Sequence, residues 1–442
     1  MAEGKLGMSI GGTFGRAGRV RGIWALPVLL ALATSVAFCV LAYPTARQDY
    51  AAVLDSDHYG DLGYGIWLNR SLSYYPDPEP TVDRGPVYPA FLATALAATD
   101  GWYPWSIQLA QCSLFAATAL LAFHIGSSLW SRRVGLLAGI VCAVHPFCIW
   151  YTGRVWIESV AMFLFVAVVA ATLGAVARPS VFRAAVAGVV AGAASLCKET
   201  FLPLAIFIVL VLWAQRAPAG PTGRPRRGRC RLAALAMLIA AILTVAPWTV
   251  RNYRLTGRFI PVHLLAGVNC QIGDGMAKHY ASSPWSFADL WDAGTPRREQ
   301  LLATVPPALP RWEREVRLNE ILLADSFNRY RESPTLLPRK VAMNSYLFWI
   351  LGQNATKTAV IAAMQVPLVA LFGVSAWRTL RRRGWRSGAG AGVILVVLYY
   401  VCHLPVVAAA RYSVVLVPVM VVYAVGLFFG LPQSPADTNV AE

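Results

Sequence analysis

The chain alternates uncharged apolar runs of about 20 residues with short segments dense in arginine, and that alternation decides what solvent it can fold in. The first run extends from Ile23 to Tyr43. Others lie at about 105–129, 134–152, 155–177, 182–199, 200–215, 231–250, 359–379, 388–408 and 411–431. A helix needs about 20 apolar residues to cross the hydrocarbon core of a bilayer, so these runs predict about ten transmembrane helices and an all-α polytopic membrane protein. Composition agrees. Of 442 residues 57% are hydrophobic and 14% charged, against about 25% charged in a typical soluble domain.

The positions of the basic residues orient the helices. Lys5, Arg16, Arg19 and Arg21 precede the first run, and the loops Ser131-Arg132-Arg133, Arg178 to Arg183, Arg216 to Arg231 and Arg378 to Arg386 all fall on the same side. Positive-inside bias makes that side cytoplasmic. The formal charge of +17 is thereby explained by topology, and a nucleic-acid partner is not expected. Two long segments, 44–104 and 251–340, then lie outside as extracytoplasmic insertions bearing short helices on a single membrane domain, 1–442. Val341 to Leu351 is apolar but only about 11 residues long, which suits an interfacial or re-entrant segment. The first run is too long for a signal-peptide core and lacks a small-residue cleavage site, so it reads as an uncleaved helix. The Pro/Gly/Arg stretch at 217–229 reads as a solvated connector. Of eight cysteines only Cys270 lies in a long polar segment, no CxxC pair occurs, and the six histidines are scattered, which excludes a disulfide framework and a structural zinc site. Alanine- and arginine-rich usage favours a bacterial plasma membrane.

The polar residues able to do chemistry gather on the outer side. Asp55-Ser56-Asp57-His58-Tyr59 follows the first helix, with Asp61 close behind. Two near carboxylates can serve as a general base and its neighbour, or form a solvated acidic turn with Asp55 capping a helix. Arg84-Gly85-Pro86-Val87-Tyr88-Pro89 sets an extended turn before an apolar segment, with Arg84 as a candidate anion ligand or an interfacial anchor. Arg154 and Glu158, Lys198-Glu199, Arg251, and Arg411-Tyr412 stand at outer helix ends, where each taken singly reads as a snorkelling side chain or a local ion pair. Together they bring acids and cations to one leaflet, which suits a reaction on an anionic lipid headgroup. Glu313, Glu315, Asp325 and Arg329 alternate with cations as on a solvated amphipathic helix.

In these segments the chain resembles the GT-C superfamily of multi-spanning glycosyltransferases, which includes protein O-mannosyltransferases and the lipid A aminoarabinose transferase. The likeness rests on Asp55-Ser56-Asp57-His58-Tyr59, the Arg84 to Pro89 turn, His145-Pro146 with Glu158, Ala246 to Tyr253 running on to Gly267-Val268-Asn269-Cys270-Gln271-Ile272-Gly273, and Arg411-Tyr412 with Pro418. It implies a GT-C fold and transfer of a sugar, with inversion, from a polyprenyl-phosphate donor to an acceptor hydroxyl at the outer face of the cytoplasmic membrane, facing the periplasm or cell exterior. It also implies that the first-loop aspartate is the catalytic base. Asp55 fits the D-x-x-x-Y pattern, and Asp57 is the fallback. Arg411, with Lys198 and Arg84, is expected to stabilise the departing phosphate, and Glu158 and Asp57 to orient hydroxyls. Tyr59, Tyr88 and Tyr412 join them as binding residues. Two departures stand out: Gly85 replaces the first of two prolines, and Lys198 replaces an arginine, losing bidentate phosphate geometry. No cofactor is required and a divalent metal is optional, because side chains can neutralise a lipid phosphate. The acceptor can be lipid, protein or polysaccharide. The competing readings are a transporter or flippase for a lipid-linked glycan, which usually shows repeats and mid-membrane charges, and an O-antigen-type ligase or polymerase.

Overall fold

A computed structural model describes residues 22–42, 57–215, 227–280 and 285–430; Asp55 and Ser56 lie outside the described residues. Its helices are α1 (Ala25–Ala42), α2 (Tyr59–Tyr64), α3 (Val87–Ala98), α4 (Trp105–Leu129), α5 (Arg132–Ala143), α6 (Pro146–Thr152), α7 (Glu158–Ala177), α8 (Val181–Cys197) and α9 (Leu202–Ala214). They continue as α10 (Arg227–Thr256), α11 (Ala266–His279), α12 (Phe287–Leu302), α13 (Arg311–Glu332), α14 (Leu336–Ile350), α15 (Ala355–Arg383), α16 (Gly388–His403), α17 (Ala410–Ser413) and α18 (Val417–Phe429). Among the described residues the β pairing is an isolated antiparallel bridge between Ser73 and Pro80.

Among the described residues six helices are long and apolar enough to cross a bilayer: α1, α4, α7, α10, α15, and the continuous stretch Ala410–Phe429 that joins α17 to α18. A seventh arises if α5 and α6 count as one span bent by 56°. The chain is a multi-pass membrane protein, but the expected count of about ten divides differently. The runs at 182–199, 200–215 and 388–408 form shorter apolar helices, Val181–Cys197, Glu199–Ala214 and Gly388–His403. The run at 134–152 breaks at His145, which is extended (φ −71, ψ 114) ahead of Pro146, because a residue before proline is pushed out of the helical region.

Serine punctuates the arginine-rich end. Ser131, Ser180 and Ser387 each stand in extended backbone and accept a hydrogen bond from a first-turn N–H of α5, α8 and α16, so each helix starts where its basic loop ends. The Arg383 guanidinium donates to the Leu129 carbonyl (3.0 Å) and the Gln215 amide to the Arg386 carbonyl (2.5 Å), which places these loops at one end of the bundle. Close packing of α8 on α10 follows from small residues. A Cβ on Gly188 would lie 2.3 Å from the Met237 carbonyl oxygen, and one on Gly192 2.7 Å from Thr244 Cβ. Small residues four apart let membrane helices approach to backbone contact where lipid gives no hydrophobic drive to associate.

The two long polar segments meet at the opposite end. The Leu264 amide donates to the Val82 carbonyl (3.1 Å), and Val82, Ile260 and Val316 bury one another. The second segment begins later than expected, since α10 runs on through Arg251 to Thr256. Its core is α11 against α13 and α14, locked by Lys340, whose fully buried ammonium lies 2.7 Å from the fully buried Asp274. Tyr330 donates to the same carboxylate (2.8 Å). The expected amphipathic helix is present as α13, but two of the acids expected on its solvated face are drawn inward. Asp325, 10% exposed, holds Arg297 and Arg329, and Glu315 takes hydrogen bonds from the first loop. The apolar 341–351 stretch is the second half of α14, which is not among the helices of spanning length.

Candidate functional site

A cavity of about 840 Å³ opens where the two polar segments cap the helices. Asp57, Tyr59, Arg84, Glu158, Lys198, Arg411 and Tyr412 all line it. Chain geometry explains the convergence: α7 begins at Glu158, α8 ends just before Lys198, and α17 begins one residue before Arg411. Each of these charged groups therefore sits at a helix terminus at the same end of the bundle.

Arg411 organises the acids. Its Nη2 lies 2.5 Å from Asp57 Oδ2 and its Nε donates to Glu158 Oε1 at 3.1 Å. The guanidinium lies over the rings of Trp156 (4.9 Å) and Tyr412 (5.4 Å), where the faces of the π systems favour a cation. Lys198 Nζ stands 4.0 Å from Glu158 Oε1, 3.5 Å from the Tyr399 hydroxyl and 4.4 Å from the Tyr412 ring centre. Glu158 is fully buried, and its Oε2 has no hydrogen-bond partner among the described residues. Burial works to raise the pKa of Asp57, but the charge and hydrogen bond of Arg411, with the charges of Arg84 and Lys198, outweigh it and hold the carboxyl below its usual value. Asp57 is thus a permanent anion near neutral pH.

Arg84 reaches the cavity through a loop that only glycine permits. A Cβ on Gly85 would stand 2.1 Å from the Leu196 carbonyl oxygen, so the departure from the double-proline pattern lets the turn lie against the end of α8, two residues from Lys198. Arg84 Nη1 pairs with Asp83 Oδ2 at 3.1 Å, and its guanidinium lies 5.6 Å from the Tyr59 ring centre. Tyr88 does not line the cavity. It is fully buried, donates to Gln111 Oε1 at 3.1 Å, and stands edge-on behind Tyr59 at 4.9 Å. Arg251 also stays outside, donating to the Thr81 carbonyl at 2.8 Å and covering Trp248.

The wall includes residues that sequence reasoning had not singled out: Trp156, His263, Lys357 and His403. His403 stacks on Tyr412 (ring centres 5.1 Å apart). Burial holds the His263 imidazole below its usual range, against the charge of Glu199. Isolated in sequence, these residues carry no motif; Trp156, two positions before Glu158, is the one a local reading could have found. Four cations (Arg84, Lys198, Lys357, Arg411) and three acids (Asp57, Glu158, Glu199) line the cavity, so it has an excess of one positive charge. Among the described residues no three His, Cys, Asp or Glu side chains converge in metal-binding geometry.

The fold resembles that of solved GT-C membrane proteins, and the likeness is one of fold alone. Among solved structures it is similar to the oligosaccharyltransferase AglB from Archaeoglobus fulgidus in complex with an inhibitory peptide and a dolichol-phosphate, with a TM-score of 0.55 and 14% identity over 91% of this chain and 50% of that one. The apo form of the Archaeoglobus fulgidus oligosaccharyltransferase gives 0.53 and 13% over 92% and 50%. A looser likeness, with a TM-score of 0.39 and 14% identity over 96% and 80%, links it to ArnT from Cupriavidus metallidurans bound to undecaprenyl phosphate. The chain spans about half the length of the oligosaccharyltransferases it matches. No protein-family model matches it, and no curated protein is similar to it in sequence. At such identities the likeness establishes the fold, and the chemistry has to be argued from the cavity.

Proposed function

We propose that this protein is a membrane glycosyltransferase that moves a sugar from a polyprenyl-phosphate donor to an acceptor hydroxyl, with inversion, at the extracytoplasmic face. The observation that carries the reading is the Arg411 bridge, which gathers Asp57 and Glu158 from distant parts of the chain onto one cavity wall beside Lys198 and Arg84. The acceptor oxygen attacks the anomeric carbon on the face away from the phosphate. The carbon–oxygen bond to phosphate breaks, and the acceptor proton passes to a carboxylate. A polyprenyl phosphate leaves as an anion, so it needs cations more than a proton donor. Arg411, Lys198 and Arg84 supply them.

The proton acceptor is a first-loop aspartate. Asp57 supports this role from the cavity wall, ionised and held in place by Arg411; Asp55, two residues earlier, is the alternative base. Glu158, with one oxygen unpaired, suits a hydrogen bond from a sugar hydroxyl. Tyr59 and Tyr412 line the cavity and hold the cations Arg84, Lys198 and Arg411 against their rings. Dolichol-phosphate in the AglB complex makes lipid-linked sugars the donors to try, with lipid, peptide and polysaccharide acceptors.

The test compares wild type, Asp55→Asn and Asp57→Asn in membranes supplied with a panel of labelled polyprenyl-phosphate sugars. Loss of transfer in one variant, with protein level and donor binding intact, identifies the base. Full turnover in both removes the acidic loop from the mechanism. A wild type that consumes no donor sinks the transferase reading and favours a lipid-glycan transporter.

A further inference from the structure

Behind Arg84 lies a chain of polar contacts that ends on the second polar segment. Thr81 Oγ1 is 2.7 Å from Asp83 Oδ1 and also 2.7 Å from Glu315 Oε1, and it accepts a hydrogen bond from the Asp83 amide at 3.2 Å. A hydroxyl carries one proton and two lone pairs. It can donate to one of the two carboxyl groups. The other contact, at the same short distance, brings two oxygens together with no proton between them unless that carboxyl is itself protonated. One arrangement satisfies every group: a Glu315 carboxylic acid donates to Thr81, the Asp83 amide donates to Thr81, and the Thr81 hydroxyl donates to an Asp83 carboxylate.

The remaining contacts fix which carboxyl holds the proton. Asp83 is already surrounded by donors: the Tyr74 hydroxyl at 3.0 Å and Arg84 Nη1 at 3.1 Å. It is the anion. Glu315 accepts the Val82 amide at Oε2 (2.8 Å), which leaves Oε1 to carry hydrogen. The charged neighbours agree. Asp83 faces Glu315 from the first loop, Arg311 from the start of α13, and Arg251 from α10; His263 faces Asp83 and Arg84 from the stretch after α10. Burial first, and Asp83's charge second, push the Glu315 carboxyl from the usual range up to about 7, while the Thr81 hydroxyl, Val82 and Arg311 pull the other way.

We propose that Glu315 is a positioning residue for the donor phosphate: by sharing its proton with Asp83 through Thr81, it fixes the carboxylate that holds Arg84 at the cavity wall. The role of Arg84 rests on the transferase reading; the proton-sharing contact does not. The sign follows from linkage. A carboxyl whose proton affinity the docked state raises favours docking at acid pH and gives up that contribution as pH climbs through the folded value. Above about pH 7 two carboxylates then face one hydroxyl, the contact between the first loop and α13 loosens, and Arg84 loses its anchor.

Two measurements on the full-length protein test this. The first is hydrogen exchange of residues 72–84, corrected for intrinsic rates, across about pH 5 to 9. Wild type should lose protection as pH passes 7. Glu315→Gln, which has no proton to lose and whose amide can still donate to Thr81, should stay protected throughout. The second is donor KM with a polyprenyl-phosphate sugar. In wild type it should rise roughly ten-fold across the same pH step with kcat little changed, the loss expected when a charged hydrogen bond to phosphate is misplaced. Glu315→Gln should flatten that rise, and Glu315→Ala should show the high KM at every pH. An exchange step that persists in Glu315→Gln, or is missing from wild type, overturns the inference. An exchange step as expected, with no transfer from any donor, leaves the contact standing and sinks the transferase reading instead.

Discussion

Replacing Arg411 tests the centre of the proposal, because the structure separates its two jobs. Arg411→Lys keeps the positive charge but loses the fork that reaches Asp57 and Glu158 at once. A lysine ammonium is a single point and can hold one of the two. A hydrogen bond to a charged group is worth about 1.5–3 kcal/mol, so losing one of the pair should lower kcat/KM by about ten- to 150-fold. Arg411→Ala does more. It leaves Glu158, fully buried, without its cation, and removing one partner of a buried pair costs about 3–5 kcal/mol. Because the Arg411 and Asp57 side chains keep 20% and 25% of their exposure, the low end, about 3 kcal/mol, is expected. The assay pairs transfer kinetics with thermal unfolding in detergent, on both variants and on the Arg411→Ala, Glu158→Gln double variant. The double variant should regain most of the stability and none of the turnover. Arg411→Lys at wild-type kcat/KM, or a double variant no more stable than Arg411→Ala, would refute the reasoning.

The lowered pKa of Asp57 predicts a pH profile. A carboxyl lowered in the fold keeps its contribution above its ordinary value and loses it only as pH falls through the folded one. Log kcat/KM should therefore show no acid limb from this group above pH 3.8, and Arg411→Gln should bring one up into the accessible range; a wild-type limb near 6 that moves with Asp57→Glu would contradict this. Gly85→Ala places a Cβ 2.1 Å from the Leu196 carbonyl oxygen. The Arg84 turn must lift away from Lys198, so donor KM should rise about ten-fold or more, whereas Gly174→Ala, with nothing within 4 Å, should match wild type.

The sequence exposes what is local or periodic. Charge-free runs mark helices, and arginine loops mark one end of the bundle, because both signals are written in contiguous residues. Motif spacing also selected seven side chains that line one cavity. What it cannot express is partner choice across long separations. Arg411 reads as a helix-end anchor until Asp57, 354 positions away, and Glu158, 253 away, are seen beside it. Nothing near Lys340 in sequence announces that its ammonium is wholly buried on Asp274. Glu315 reads as part of a solvated face, because nothing near it in sequence announces that Thr81 and Val82 will dock there. Helix length was obscured for another reason: hydropathy tolerates His145-Pro146, while backbone geometry breaks there; at Lys198-Glu199 the chain breaks where the runs divide.

On the proposed reading, the acids in the cavity wall are what let the cations serve a phosphate. A guanidinium has five N–H donors, and Arg411 uses one from Nε on Glu158 and one from Nη2 on Asp57. Three remain, fixed in direction by two carboxylates and two aromatic faces. Buried cations with no acids nearby would repel one another and swing toward water; acids without cations would take up protons. Interleaved, they hold each other in place before any ligand arrives. With the cations outnumbering the acids by one along the wall, the lipid phosphate of the proposed donor would meet oriented donors without having to break an ion pair to reach them. Stabilisation of developing charge is greatest where the dipoles and charges need not reorganise during the reaction. The same clamp keeps Asp57 ionised and within reach of the cavity, so if Asp57 is the base of the proposed reaction, a single arginine couples its state to the placement of the leaving group. Losing that arginine should therefore damage proton transfer and phosphate departure together, and variants of Asp57 and Arg411 should combine with far less than additive effect on kcat.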